Sequence, residues 1–131
     1  MNKLLVISSI FLTATLTCRA SKPGAELRLS EKVLDLGAID NGDSATDSVK
    51  IYNDGSEPLV ITSIFTDCNC TVTAFTKRPI EPGDSGAINV TFKTRGREPG
   101  NFRKAVRIRS NSVNGTMILF VKGRIKRRYV K

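Results

Sequence analysis

Hydrophobic positions in this chain recur in short runs rich in Val, Ile, Thr and Phe, and no stretch keeps a helical period. Alternation is clearest in Thr46 to Tyr52, where Val49 and Ile51 interleave with Ser48 and Lys50, and again in Ala87 to Phe92. Side chains of a strand point alternately to two faces, so such runs predict half-buried strands. Others are expected over Leu27 to Leu36 (one or two short pieces, closed by Gly37), Leu59 to Phe65, Thr71 to Phe75, Phe102 to Ser110 and Thr116 to Ile125. Asn41-Gly42-Asp43 and Asn53-Asp54-Gly55-Ser56 read as turns. The prolyl loop Pro79 to Asp84 cannot enter a central strand, and Arg95 to Gly100 is a Gly/Pro loop. Asn114-Gly115 favours a tight hairpin between the last two strands. About seven strands with a turn every 8 to 12 residues or so predict an all-β domain, best arranged as a two-sheet sandwich. A small β-barrel has the same periodicity.

The N-terminus changes the picture of where this domain works. Lys3 precedes an uncharged apolar stretch, Leu4 to Thr17, which is short for a membrane span of about 20 residues and reads as a cleaved export leader. Two cleavage points are open: before Cys18, which would then be acylated as in a lipoprotein, or after Ala20. The expected organisation is a signal segment over 1–20, a tether and lead-in over 21–29, the sandwich over 30–126 and a basic tail over 127–131. The expected location is outside the cytosol, in the periplasm or attached to the outer membrane.

The chain has no histidine and no tryptophan. A Ser-His-Asp or Cys-His catalytic arrangement and any His-containing metal site are thereby excluded, and no acid–base constellation points to an enzyme. There are three cysteines. If Cys18 is lipidated or discarded, Cys68 and Cys70 form the one remaining pair. A bridge between them would close so small a loop that chain entropy contributes only about 1.6 kcal/mol. In an extended strand, residues two apart also lie at the upper limit of bridging distance, so a bridge would need a turn. Two thiolates could instead hold Cu(I), whereas zinc would lack two ligands. The third reading is packing: one cysteine in the core and the other shaping a turn. Asp67 beside Cys68 is expected to raise a thiol pKa.

Charge is unevenly spread. The formal net charge is +9, the leader contributes only Lys3, and the last acidic residue is Glu98. If Asn114-Gly115 is a two-residue turn, Arg107 faces Lys122, Arg109 faces Phe120 and Arg103 faces Lys126, with Ile108 and Val121 turned to the core. Arg103, Arg107, Arg109, Lys122, Arg124 and Lys126 then form a cationic strip, extended by the basic tail. Like charges opposite each other repel, which a bound anion would relieve. Expected partners are another envelope protein or an anionic glycan or lipid; nucleic acid is not expected in an exported chain so poor in aromatics.

The ordered pieces Leu34-Asp35-Leu36-Gly37-Ala38-Ile39, Asn53-Asp54-Gly55-Ser56-Glu57-Pro58, Asp67-Cys68-Asn69-Cys70-Thr71, Pro79-Ile80-Glu81-Pro82-Gly83-Asp84, Gly100-Asn101-Phe102-Arg103-Lys104 and Ser110-Asn111 resemble the bacterial domain-of-unknown-function family 1573. The resemblance implies an exported, often lipid-anchored, immunoglobulin-like β-sandwich, here of seven strands. The family usually has glycine at the position of Asn69, and a tight turn with positive φ would still tolerate asparagine. Its activity is not established. The expectation is a non-enzymatic binding or structural module that docks through a strand edge or the cationic face. A thiol redox or Cu(I)-binding module built on Cys68 and Cys70 is the alternative.

Overall fold

A computed structural model describes residues 23–128. Eight strands follow one another with no helix among the described residues: β1 (Leu27–Leu29), β2 (Val33–Asp40), β3 (Ser44–Asn53), β4 (Ile61–Thr66), β5 (Thr71–Phe75), β6 (Ser85–Lys93), β7 (Gly100–Ser110) and β8 (Met117–Lys126). They form two four-stranded sheets, ordered β1-β3-β6-β5 and β2-β8-β7-β4. All neighbours are antiparallel except β2 and β8, which run parallel.

Alternation decides the core. Val49 and Ile51 of β3 and Ile88 and Val90 of β6 meet Val106 and Ile108 of β7 and Leu119 and Val121 of β8, all without solvent exposure. The residues between them on β7 and β8, among them Arg107, Arg109 and Lys122, face outward. A smaller cluster at one end of the sandwich joins Ile39, Cys70, Phe92 and Ile125.

The strand count departs from the expected seven because Leu27 to Leu36 is divided between the sheets. β1 pairs with β3, Ser30 to Lys32 cross over, and β2 lies beside β8. Ala25, Leu27 and Leu29 are buried, so this segment belongs to the sandwich and is not a lead-in to it. Gly37 does not close β2 either. The strand passes it through an irregularity between Asp35 and Ala38 and continues to Asp40. Gly37 takes a φ of 71°, which suits glycine at a bulge.

The β7–β8 register also differs. Ser110 and Met117 are joined by six residues, 111–116, not by a two-residue turn. Each β7 residue therefore faces a partner four places earlier in β8 than expected: Arg103 faces Lys122, Arg107 faces Ile118 and Ile108 faces Met117. A shift by an even number leaves every side chain on its expected face. The loop is long because it serves β1, whose outer edge has no neighbouring strand among the described residues. Leu27 N–H donates to Ser112 Oγ (2.9 Å), Asn114 Nδ2 donates to Leu27 O (2.8 Å), and Val113 N–H donates to Ala25 O (2.8 Å). Backbone groups that would otherwise be orphaned are thus paired.

Candidate binding face and thiol turn

The outward face of β2-β8-β7-β4 carries the cations in rows set by register. Arg103 and Lys122 stand directly opposite each other, and Asp35 of β2 faces Lys122 from the other side. The Lys122 Nζ–Asp35 Oδ2 distance is 3.9 Å, a loose and exposed pair. One row on, Arg124 faces Asn101 and Ala38. Arg103, Lys122 and Arg124 border one depression of about 440 Å³, floored by Phe102 and the backbone of Gly37 and Gly123. The Arg103 guanidinium sits 4.3 Å above the Phe120 ring, which keeps its plane fixed.

The floor explains Gly123. The Phe102 ring stacks in parallel on Phe92 with centroids 3.9 Å apart. A Cβ on residue 123 would lie 2.7 Å from Phe102 Cζ and 2.9 Å from Gly37 O. Gly123→Ala is therefore expected to cost about 2 kcal/mol, because neither the stacked ring nor the neighbouring backbone yields freely. Thermal unfolding checks this; an unchanged melting temperature would mean that Phe102 is not held as described.

Not all the expected strip gathers here. Arg107 faces Ile118 and forms an ion pair with Asp67 (2.7 Å). Arg109 lies 5.1 Å above the Phe65 ring. Both stand apart from the depression. Lys126 borders a second hollow of about 600 Å³ with Pro99, Arg124 and Arg127. Arg127 belongs to the basic tail expected to extend the strip, whereas Asp35 and Asn101 have no place in the expected strip. Their contribution depends on the parallel β2–β8 pairing and on the loop before β7, which have no local signal. Val33, Phe65 and Ile118 expose apolar side chains on the same face, so the face is amphipathic as well as cationic. Cys18 and the tail residues 129–131 lie outside the described residues.

The turn Cys68-Asn69-Cys70-Thr71 carries the chain from β4 in one sheet to β5 in the other. Thr71 N–H donates to Cys68 O (3.2 Å) and closes it. The closure brings the two cysteine Cα atoms to 5.2 Å, within bridging range, and the sulfurs are joined as a disulfide. Asn69 does not take positive φ, so the position makes no demand that only glycine meets well. The two cysteines sit in different surroundings. Cys70 is 5% exposed among Ile39, Phe92 and Ile125. Cys68 is half-buried, and its Sγ accepts from Arg97 Nη2 (2.9 Å) and from Cys70 N–H (3.1 Å). The charge of Asp67 is engaged by Arg107, so Asp67 does not act alone on Cys68. Cu(I) would need the pair reduced; the described residues place no third sulfur beside it, since Met117 packs against the main core. No group of three or more His, Cys, Asp or Glu able to hold a metal occurs among the described residues.

The architecture is that of an all-β domain with two facing sheets. The chain belongs to the family described as protein of unknown function DUF1573, whose profile matches residues 27–125. A search of curated proteins finds no match. Among solved structures, a protein of unknown function from Porphyromonas gingivalis W83 is similar with a TM-score of 0.69 at 18% identity over 84% of this chain. The chain spans 51% of that protein. The PapD-like domain 7 of human CEP192 is similar with a TM-score of 0.65 at 11% identity, over 89% of this chain and 97% of that domain. SSP-19, an MSP-domain protein of Caenorhabditis elegans, gives 0.51 at 16% identity over 72% of this chain and 96% of its own. At these identities the likeness is one of fold.

Proposed function

We propose that this immunoglobulin-like sandwich is an exported, non-enzymatic binding module of the cell envelope. Its cationic sheet face docks on an anionic headgroup surface, whether of phospholipid or of lipid-linked glycan phosphates. The observation that carries the reading is the pair Arg103 and Lys122, directly opposite on neighbouring strands beside Arg124, with the loosely placed Asp35 as the counter-charge nearest Lys122. Like charges in that position destabilise a sheet, and bound anions offset the cost. The exposed Val33, Phe65 and Ile118 on the same face suit an interface with an apolar layer beneath charged headgroups. The leader-like sequence supports export, and acylation of Cys18 would supply a second membrane signal. One lipid chain alone holds a protein only marginally, and a chain plus a basic patch holds it well.

The test is co-sedimentation of the chain from Ser21 onward with phosphatidylglycerol vesicles, comparing wild type with Arg103→Glu/Arg124→Glu. A surface cation contributes about 1 kcal/mol near an anionic membrane, so reversing two is expected to weaken binding by about 30- to 1,000-fold. Equal binding by both proteins would refute the assignment of the face.

A further inference from the structure

The geometry points to a second activity at the end of the sandwich where Phe92 and Phe102 stack: Cys68–Cys70 is an exchangeable disulfide that oxidises a partner dithiol, with Cys68 as the sulfur attacked. Three observations support it. The sulfurs differ in access, since Cys68 is half-buried and Cys70 is 5% exposed in an apolar cluster. Cys68 Sγ has two donors aimed at it, Arg97 Nη2 at 2.9 Å and Cys70 N–H at 3.1 Å. Among the described residues Cys70 Sγ has only the Thr71 hydroxyl, at 3.9 Å. On reduction, the donors around Cys68 favour a thiolate, while the surroundings of Cys70 favour a neutral thiol. Arg97 is the charged group in contact with Cys68 Sγ, and the neighbouring carboxylate of Asp67 is already paired with Arg107.

A stabilised thiolate makes the reduced form easier to reach, and so makes the bridge an oxidant. The smallness of the loop acts in the same direction, because closing it constrains the unfolded chain little.

The exchange balances in two steps. A thiolate of the partner dithiol attacks Cys68 Sγ; a bond forms between them, the Cys68–Cys70 bond breaks, and its electron pair leaves on Cys70 Sγ, which takes up a proton. The partner's second thiolate then attacks its own sulfur in the mixed disulfide and expels Cys68 as the thiolate held by Arg97. The partner is oxidised from dithiol to disulfide, and this chain is reduced from disulfide to dithiol.

Glutathione is the probe. Treated with reduced glutathione, the oxidised chain is expected to open, whereas stable structural disulfides resist that reductant. With Cys70→Ser, oxidised glutathione should label Cys68 rapidly; with Cys68→Ser, Cys70 should react at least about tenfold more slowly. In the Cys70→Ser background, where no second thiol resolves the mixed disulfide, Arg97→Gln changes an exposed side chain and should slow labelling of Cys68 about five- to tenfold at neutral pH, and Arg97→Lys in that background should restore most of the rate. Peptide mass spectrometry reads all four. A bridge that stays closed in reduced glutathione, faster labelling of Cys70, or an Arg97→Gln/Cys70→Ser rate equal to that of Cys70→Ser alone would each overturn the proposal.

Discussion

Replacing Asn53 by leucine is expected to lower the stability of the domain by about 4 kcal/mol. Asn53 ends β3 and has no solvent exposure, yet every polar atom of its side chain is used. Its Oδ1 accepts from Gly55 N–H (2.9 Å) and Glu26 N–H (3.2 Å). Its Nδ2 donates to Glu57 O (2.6 Å) and Ile80 O (2.8 Å). One side chain thus joins the lead into β1, the turn after β3 and the prolyl loop. Leucine fills nearly the same volume but leaves the Gly55 and Glu26 N–H groups and the Glu57 carbonyl without these partners, while Ile80 O keeps the Leu59 N–H (2.8 Å). Orphaned buried groups cost about 1–3 kcal/mol each, partly recovered by water and relaxation. In a domain of this size the melting temperature should fall by about 15–25 °C. Asn53→Asp should also destabilise, because it turns a carboxylate oxygen toward two carbonyls. Urea unfolding of the variants checks both; a loss below about 1 kcal/mol in Asn53→Leu would show that the network is dispensable.

Gly55→Ala has the next largest expected effect on stability, about 3 kcal/mol. A Cβ there would press on Gly24 O, stand 2.5 Å from Glu26 N and 2.8 Å from Ala25 C. All three are backbone atoms, so no side-chain rotation relieves the contact. The same backbone is tied down by Ser56 N–H donating to Gly24 O (2.8 Å) and Asp54 N–H donating to Glu26 O (2.9 Å). Displacing it would lift β1 from β3 and expose Ala25 and Leu27. Hydrogen exchange should show lost protection in β1 before the rest of the sandwich; uniform loss would contradict this local account.

These two residues show what the sequence made legible. Asn53-Asp54-Gly55-Ser56 reads as a turn from composition, and it is one. Its task of holding β1 and the prolyl loop depends on partners up to 27 residues away. Period-two alternation placed Val49, Ile51, Ile108 and Val121 in the core because inward and outward faces repeat locally. Strand register was less accessible. Asn114-Gly115 looks like a two-residue hairpin turn, but Asn114 reaches Leu27, 87 residues away, and the loop lengthens to allow it. The candidate site divides in the same way. Cations on alternating positions of β7 and β8 were readable, whereas the opposition of Arg103 to Lys122 needed the true register. Cys68 and Cys70 were visible as a pair, but Arg97 reaches Cys68 across 29 residues and has no local signature.

The central functional claim is that one face, and not the overall charge of +9, engages anions. Its most direct test compares two variants with the same change in net charge. Arg103→Glu/Arg124→Glu alters the β2-β8-β7-β4 face, and Lys50→Glu/Lys93→Glu alters exposed positions on the other sheet. Binding to phosphatidylglycerol vesicles is measured across a salt series. The account predicts wild-type binding that weakens steeply with salt, near-normal binding by the Lys50/Lys93 variant, and loss of binding by the Arg103/Arg124 variant. Equal losses in the two variants, or no salt-sensitive binding by the wild type, would contradict it.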